Sequence, residues 1–209
     1  RGAKIYARLL GGAVTSDVAS IILPRIHRIA AAGGFTAITL ELIGPDPAAE
    51  LETGACTLAA LEPVENPELV SRPVLQDRFV HVAPLSSRSR ARPVRRDELH
   101  QASLVVHRGR HARLLHALDR EGIAVVPATI ADTDASTIEL VAAGLGAALV
   151  PALAVRGHEG RVHVRELAAD LPLPPRVVAL AWSRGRELGA DEQALVERLP
   201  PADGLRRIA

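Results

Sequence analysis

Apolar and polar positions along the chain follow two alternating periods. Residues 5–14, IYARLLGGAV, form a nearly continuous apolar run of strand length and predict a buried strand. After Thr15, Ser16 and Asp17, which are helix-capping residue types, Val18, Ile21, Ile22, Ile26 and Ile29 recur on one helical face until Gly33 and Gly34 end the pattern. TAITLELIG alternates residue by residue and predicts a second strand. Gly44, Pro45 and Asp46 form a turn, Pro47 suits the first turn of a short helix, and TLAALEP reads as a third buried strand. Strand–helix–strand–helix–strand order implies right-handed crossovers and a mainly parallel sheet.

PVENPEL, rich in Pro and Glu, reads as a linker, and a second set of elements follows. LVSRPVLQDRFVHVAP gives one or two strands, VRRDELHQ a short helix, SLVVHR a strand and HARLLHALDREG an amphipathic helix closed by Gly122. TIADT, AALVP and RVHVREL read as strands, and ASTIELVAAG as a helix. DLPLPP is a second linker, followed by the strand RVVALAW and the helix ADEQALVERL. Two linkers around a second α/β set predict a discontinuous first domain, residues 1–64 with 174–209, and an inserted second domain, residues 65–173.

Composition narrows the function. The 209 residues are 48% hydrophobic and 23% charged, the balance of a globular chain. A formal net charge of +1 is too small for a general polyanion binder, and Lys4 is the only lysine among 25 basic residues. Aromatic residues, at 2%, are too few for a stacking platform for single strands. Cys56, the single cysteine, excludes an internal disulfide, a cysteine zinc site and a CxxC redox pair, and reads as a small buried hydrophobe. No apolar run reaches the length of a membrane span. The beginning RGAKIYARLL has no signal-peptide layout and no initiator Met, and is read as an internal cut from a longer cytoplasmic protein.

Four stretches, VASIILPRIHRI, TLELIGPDPAAELETGACTLAAL, VSRPVLQDRFVHVAP and above all STIELVAAGLGAALVPALAV, resemble the effector-binding domain of LysR-type transcriptional regulators, over roughly residues 9–200. The LVAAGLGAALVP run is the most specific, with Leu23 and Pro24 next. The resemblance implies the type 2 periplasmic-binding-protein architecture: two Rossmann-like α/β subdomains, two crossovers and a small-molecule cleft between them. It implies a cytoplasmic sensor that is not an enzyme, needs no cofactor and forms a homodimer, or a tetramer at full length. Operator DNA would be bound through a winged helix-turn-helix upstream of Arg1. The sequence departs from the family at Gly54–Ala60, where the usual acidic residue of the third strand is replaced, and in a short loop after SLVVHR. A transporter's solute-binding protein shares the fold and is the alternative.

Candidate effector contacts fall at strand-to-helix turns. Thr15 and Ser16 offer hydroxyl and backbone donors at a helix start, Asp17 being assigned first to capping. Pro45 and Asp46 follow the C-terminal end of a strand, where open α/β sheets bind ligands. Arg108, Gly109, Arg110 and His111 precede a helix and supply two guanidiniums suited to an anion, and Asp134 follows the TIADT strand. Each has an ordinary reading as a cap, a tight turn or a solvated loop. An anionic effector held by Thr15 and Ser16 on one side and by Arg110 with its neighbours on the other is the expectation. His107, His111 and His116 lack a metal-site pattern, Gly144 and Gly146 lack the rest of a dinucleotide fingerprint, and the arginine run from Arg88 to Arg96 reads as a solvated loop. For the dimer, the first helix and second strand are set against Leu114, Leu115 and Leu118 of a partner.

Overall fold

The computed structural model describes residues 5–10, 22, 24–26, 28–29, 38–39, 42–43, 47–54, 56–63, 65–87 and 92–199. Thr15, Ser16, Asp17, Pro45 and Asp46 lie outside these residues. In chain order the elements are β1 (Ile5–Leu10), β2 (Ile38–Thr39), β3 (Leu42–Ile43), α1 (Pro47–Glu52), β4 (Leu58–Leu61), β5 (Leu69–Asp77), β6 (Phe79–Pro84), α2 (Arg96–Leu99) and β7 (Ser103–His107). Then come α3 (His111–Arg120), β8 (Val126–Ala131), α4 (Asp134–Ala142), β9 (Ala148–Pro151), a 3-10 turn (Ala152–Val155), β10 (Val162–Arg165), β11 (Arg176–Ser183) and α5 (Ala190–Arg198). Residues 22, 24–26, 28 and 29 are helical, with Ile22 and Ile26 buried.

The chain divides into two compact units, residues 1–76 with 177–209, and residues 77–176. The sequence reading changes units at 64/65 and 173/174. The first change comes later in the structure because β5 follows the Pro/Glu segment and pairs with β11 in the first unit's sheet.

In the first unit the strand order is β2-β1-β4-β11-β5. Ile5 pairs with Ile38 and Leu9 with Leu42, both parallel, so β2 and β3 continue one register along β1, as the single alternating stretch TAITLELIG predicts. β1 and β4 are also parallel, whereas β11 runs antiparallel to β4. All four residues of β4 are buried, the pattern of a strand covered on both faces. Cys56 packs with Leu51, Ala59, Leu61, Leu69 and Ala181, as a small hydrophobe would.

The second unit has an antiparallel group β10-β6-β9 and a parallel pair β7-β8. Ala147 joins them, accepting from Val105 N at 2.8 Å and donating to Ser103 O at 3.1 Å. Successive β7 side chains serve opposite faces: Val105 packs with Ile138 and Val141 of α4, whereas Leu104 and Val106 pack with Leu114 and Leu118 of α3. Helices therefore cover both faces of this sheet. Leu114 and Leu118 are thus core residues of their own unit, which corrects the expectation that they face a partner; Leu115 is half-buried.

The LVAAGLGAALVP run owes its glycines to this packing. Gly144 ends α4 at φ +89°. Gly146 sits at φ +148°, and a Cβ there would lie 2.7 Å from the Ser103 carbonyl oxygen. The second glycine is what lets the chain pass beside β7, which accounts for it without any phosphate-binding role.

Candidate functional site

β7 and β8 run parallel, and each leads at its C-terminal end into a helix, α3 and α4. Their register begins as Ser103 with Val126 and Leu104 with Pro127, then shifts so that Val105 meets Thr129 and His107 meets Ala131. The extra residue on β8 brings the following turns into step. Arg108 N donates to Ala131 O at 2.8 Å, Arg108 Nε donates to Asp132 Oδ1, and Arg110 Nη2 donates to Asp134 Oδ1. Two arginines two residues apart on one turn thus meet two aspartates two residues apart on the other.

Local chemistry fixes both turns. In the first, Gly109 N donates to His107 Nδ1 at 3.0 Å, and a Cβ on Gly109 would approach the His107 ring to 3.3 Å. In the second, Ser136 N donates to Thr133 Oγ1 and Thr133 N donates to Ser136 Oγ, both at 3.0 Å, a reciprocal cap for α4. Asp134 is the first residue of α4, where the positive end of the helix dipole favours a carboxylate.

The two ion pairs differ in surroundings. The Arg108 and Asp132 side chains are 64% and 74% exposed, those of Arg110 and Asp134 only 9% and 2%. Hydrogen bonding to Arg108, with its charge, holds the Asp132 carboxyl below the usual carboxylate range. The second Asp134 oxygen lies 3.5 Å from Arg176 Nη1, and Arg176 Nη2 donates to Asp77 Oδ2 at 2.7 Å. Leu153 N, in the 3-10 turn after β9, is 3.3 Å from both Asp77 oxygens.

Of the residues singled out from sequence, the structure brings Arg108, Gly109, Arg110 and Asp134 together. His111 begins α3, but its side chain is outside the described residues. Arg110 is not presented as an exposed anion contact: its guanidinium is buried on Asp134. Asp132, Asp77 and Arg176 were missed, though Asp132 sits two residues before Asp134 with the spacing of Arg108 and Arg110. Among the described residues no three His, Cys, Asp or Glu side chains converge as a metal site would require. Arg92 and Arg96 of the basic run pair with Glu98 at 3.0 Å and Glu121 at 2.6 Å.

Elsewhere in this unit His81 is buried on β6, and burial, with Arg165 close by, pushes its pKa down to about 4. Glu98 titrates below its ordinary value although burial alone would raise it, because the Arg95 amide and Arg165 guanidinium donate to it. A pocket of about 190 Å³ beside Arg78, Phe79, Glu166 and Leu171 shares no residue with the paired turns.

Residues 12–202 match the family described as the LysR substrate binding domain. No curated protein matches the sequence. Among solved structures, the effector-binding domain of QuiR in complex with shikimate is similar at TM-score 0.74 and 14% identity, covering 94% of this chain and 95% of that one. HinK, a LysR family transcriptional regulator from Pseudomonas aeruginosa, superposes at TM-score 0.77 and 17% identity, over 95% of this chain and 69% of its own. Full-length CbnR in complex with its target DNA is similar at TM-score 0.76 and 12% identity, over 94% and 67%. These likenesses share the periplasmic-binding-protein-like fold of two α/β subdomains.

Proposed function

The chain belongs to the LysR substrate-binding domain family, the ligand-sensing part of LysR-type transcriptional regulators, and from that premise we propose that its effector is a small carboxylate-bearing molecule held in part by Arg108. The observation that carries this reading is the contrast between the two arginines of one turn. Arg110 is buried on Asp134, whereas Arg108 is exposed and bound to an equally exposed aspartate. An exposed ion pair contributes little to stability, so an incoming carboxylate competes with Asp132 for Arg108 at small cost. The turn lies beyond the C-terminal end of β7, where open α/β sheets receive ligands. The similar effector-binding domain of QuiR is in complex with shikimate, which is a carboxylate, and this supports the reading.

Thr15, Ser16, Asp17, Pro45 and Asp46 remain the proposed contacts from the first unit. The family match supports a regulator over a transporter's solute-binding protein. LysR-type regulators are generally non-enzymatic transcription factors. We assign operator recognition to a helix-turn-helix outside this chain and the site of action to the cytoplasm, by analogy with DNA-bound CbnR. We also assign a homodimer. Its support is β8, which pairs with β7 and leaves Val126 and Ile130 exposed, an apolar strand that a partner would cover.

Calorimetry with a panel of small carboxylates tests the site. Arg108→Ala is expected to weaken the strongest binder roughly ten- to hundred-fold, the worth of a charge-assisted hydrogen bond. Unchanged affinity in a folded Arg108→Ala protein rejects the role.

A further inference from the structure

Four buried side chains of the second unit form a chain of alternating charge: Asp77, Arg176, Asp134 and Arg110. Their charges sum to zero. The ends of this chain have distinct places in the fold. Asp77 and Arg176 are the first and last residues of the second unit, so the polypeptide enters and leaves that unit through them. Arg110 is the N-cap residue of α3, in the turn that carries Arg108. Asp134 stands in the middle, with Oδ1 accepting from Arg110 and Oδ2 3.5 Å from Arg176.

We propose that Asp134 is a positioning residue that couples the effector-facing turn to both crossovers of the chain. The proposal rests on the reading of that turn as an effector contact. Oppositely charged groups buried together cannot separate without exposing an uncompensated charge to a poorly polarisable interior. A displacement of one member therefore moves the next. An anion that takes Arg108 from Asp132 shifts the 108–110 turn and Arg110 with it. Arg110 shifts Asp134, whose other oxygen faces Arg176, and Arg176 holds Asp77. Both crossovers then respond together, because one guanidinium binds the two ends of the unit to each other. Loss of the exposed Arg108–Asp132 pair by itself pulls on nothing, because water replaces either partner; the pull comes from the anion that binds Arg108.

The test needs no effector, so its failure is distinct from failure of the binding reading. Amide hydrogen exchange is measured on the 15N-labelled chain, with Val80 and Val82 as internal references for global opening. Arg110→Met is expected to speed exchange at residues 77–79 and 176–178 by about five-fold or more relative to those references, the size of a modest coupling. Arg108→Ala is expected to leave these amides unchanged. In an Asp134→Asn background, Arg110→Met is expected to add nothing further. If Asp134→Asn does not fold, the Arg176 Nε resonance decides: it is expected to shift in Arg110→Met and to stay in Arg108→Ala. An effect of Arg110→Met confined to residues 107–111 and 131–137, an undiminished effect without the Asp134 charge, or an unmoved Arg176 resonance overturns the proposal.

Discussion

Two ion pairs join the same two turns with the same spacing, and they do different things. Arg108–Asp132 lies in water, and its charges are solvated whether or not they meet. Arg110–Asp134 is buried with Arg176 and Asp77, so each charge there relies on the others for what water no longer supplies. Residue type and spacing are equal in the two pairs; burial alone separates a contact that a ligand displaces from one that holds the turn in place.

The largest effect should come from breaking the buried pair on one side. Asp134→Ala is expected to cost about 3–5 kcal/mol in denaturant unfolding, since it leaves two guanidiniums without their shared carboxylate. A loss below about 1 kcal/mol would place the pair with the surface ones. Next is the pH response of His81, another buried group. Its folded-state pKa of about 4 lies below the unfolded value of about 6.5. The unfolded chain therefore takes up this proton first as pH falls. The His81 contribution is whole above about pH 6.5 and is lost between there and about pH 4, to a total of about 3 kcal/mol. His81→Leu should flatten that part of the stability profile, and an unaltered profile would show that His81 is not its source.

The exposed pair should give small responses. Arg108→Ala is expected to leave the unfolding midpoint unchanged within error, and added salt should not separate it from the parent. A salt-dependent gap between them would mean the exposed pair contributes to folding. The smallest effect is a titration. The Asp132 carboxyl, followed by NMR, should lose its proton below the usual Asp range and return to that range in Arg108→Ala. A titration curve indifferent to Arg108 would remove the pair altogether.

Much of the fold was legible because its elements obey local rules. The alternation in TAITLELIG and the glycine closing HARLLHALDREG took the places their chemistry predicts. β8 reads from sequence as TIADT, residues 129–133, but runs Val126–Ala131: it starts before Pro127, which the last strand of its group tolerates, and ends before Asp132. Arg108, Arg110 and Asp134 were each visible as charged residues at strand-to-helix turns. Their pairing was not, since it depends on the register shift between β7 and β8, which no residue announces. Asp77 and Arg176 carried less signal still: one closes β5 and the other opens β11, 99 residues apart, and only the folded chain shows that they meet.

The claim that this domain senses a carboxylate is tested most directly by thermal unfolding against a panel of small carboxylates and their matched neutral amides. A binder present at 100 times its Kd adds about 2.7 kcal/mol, or roughly 5–10 °C for a chain of this size. The account predicts such a rise for at least one carboxylate and none for its amide. No rise with any carboxylate, or an equal rise with the amide, would contradict it.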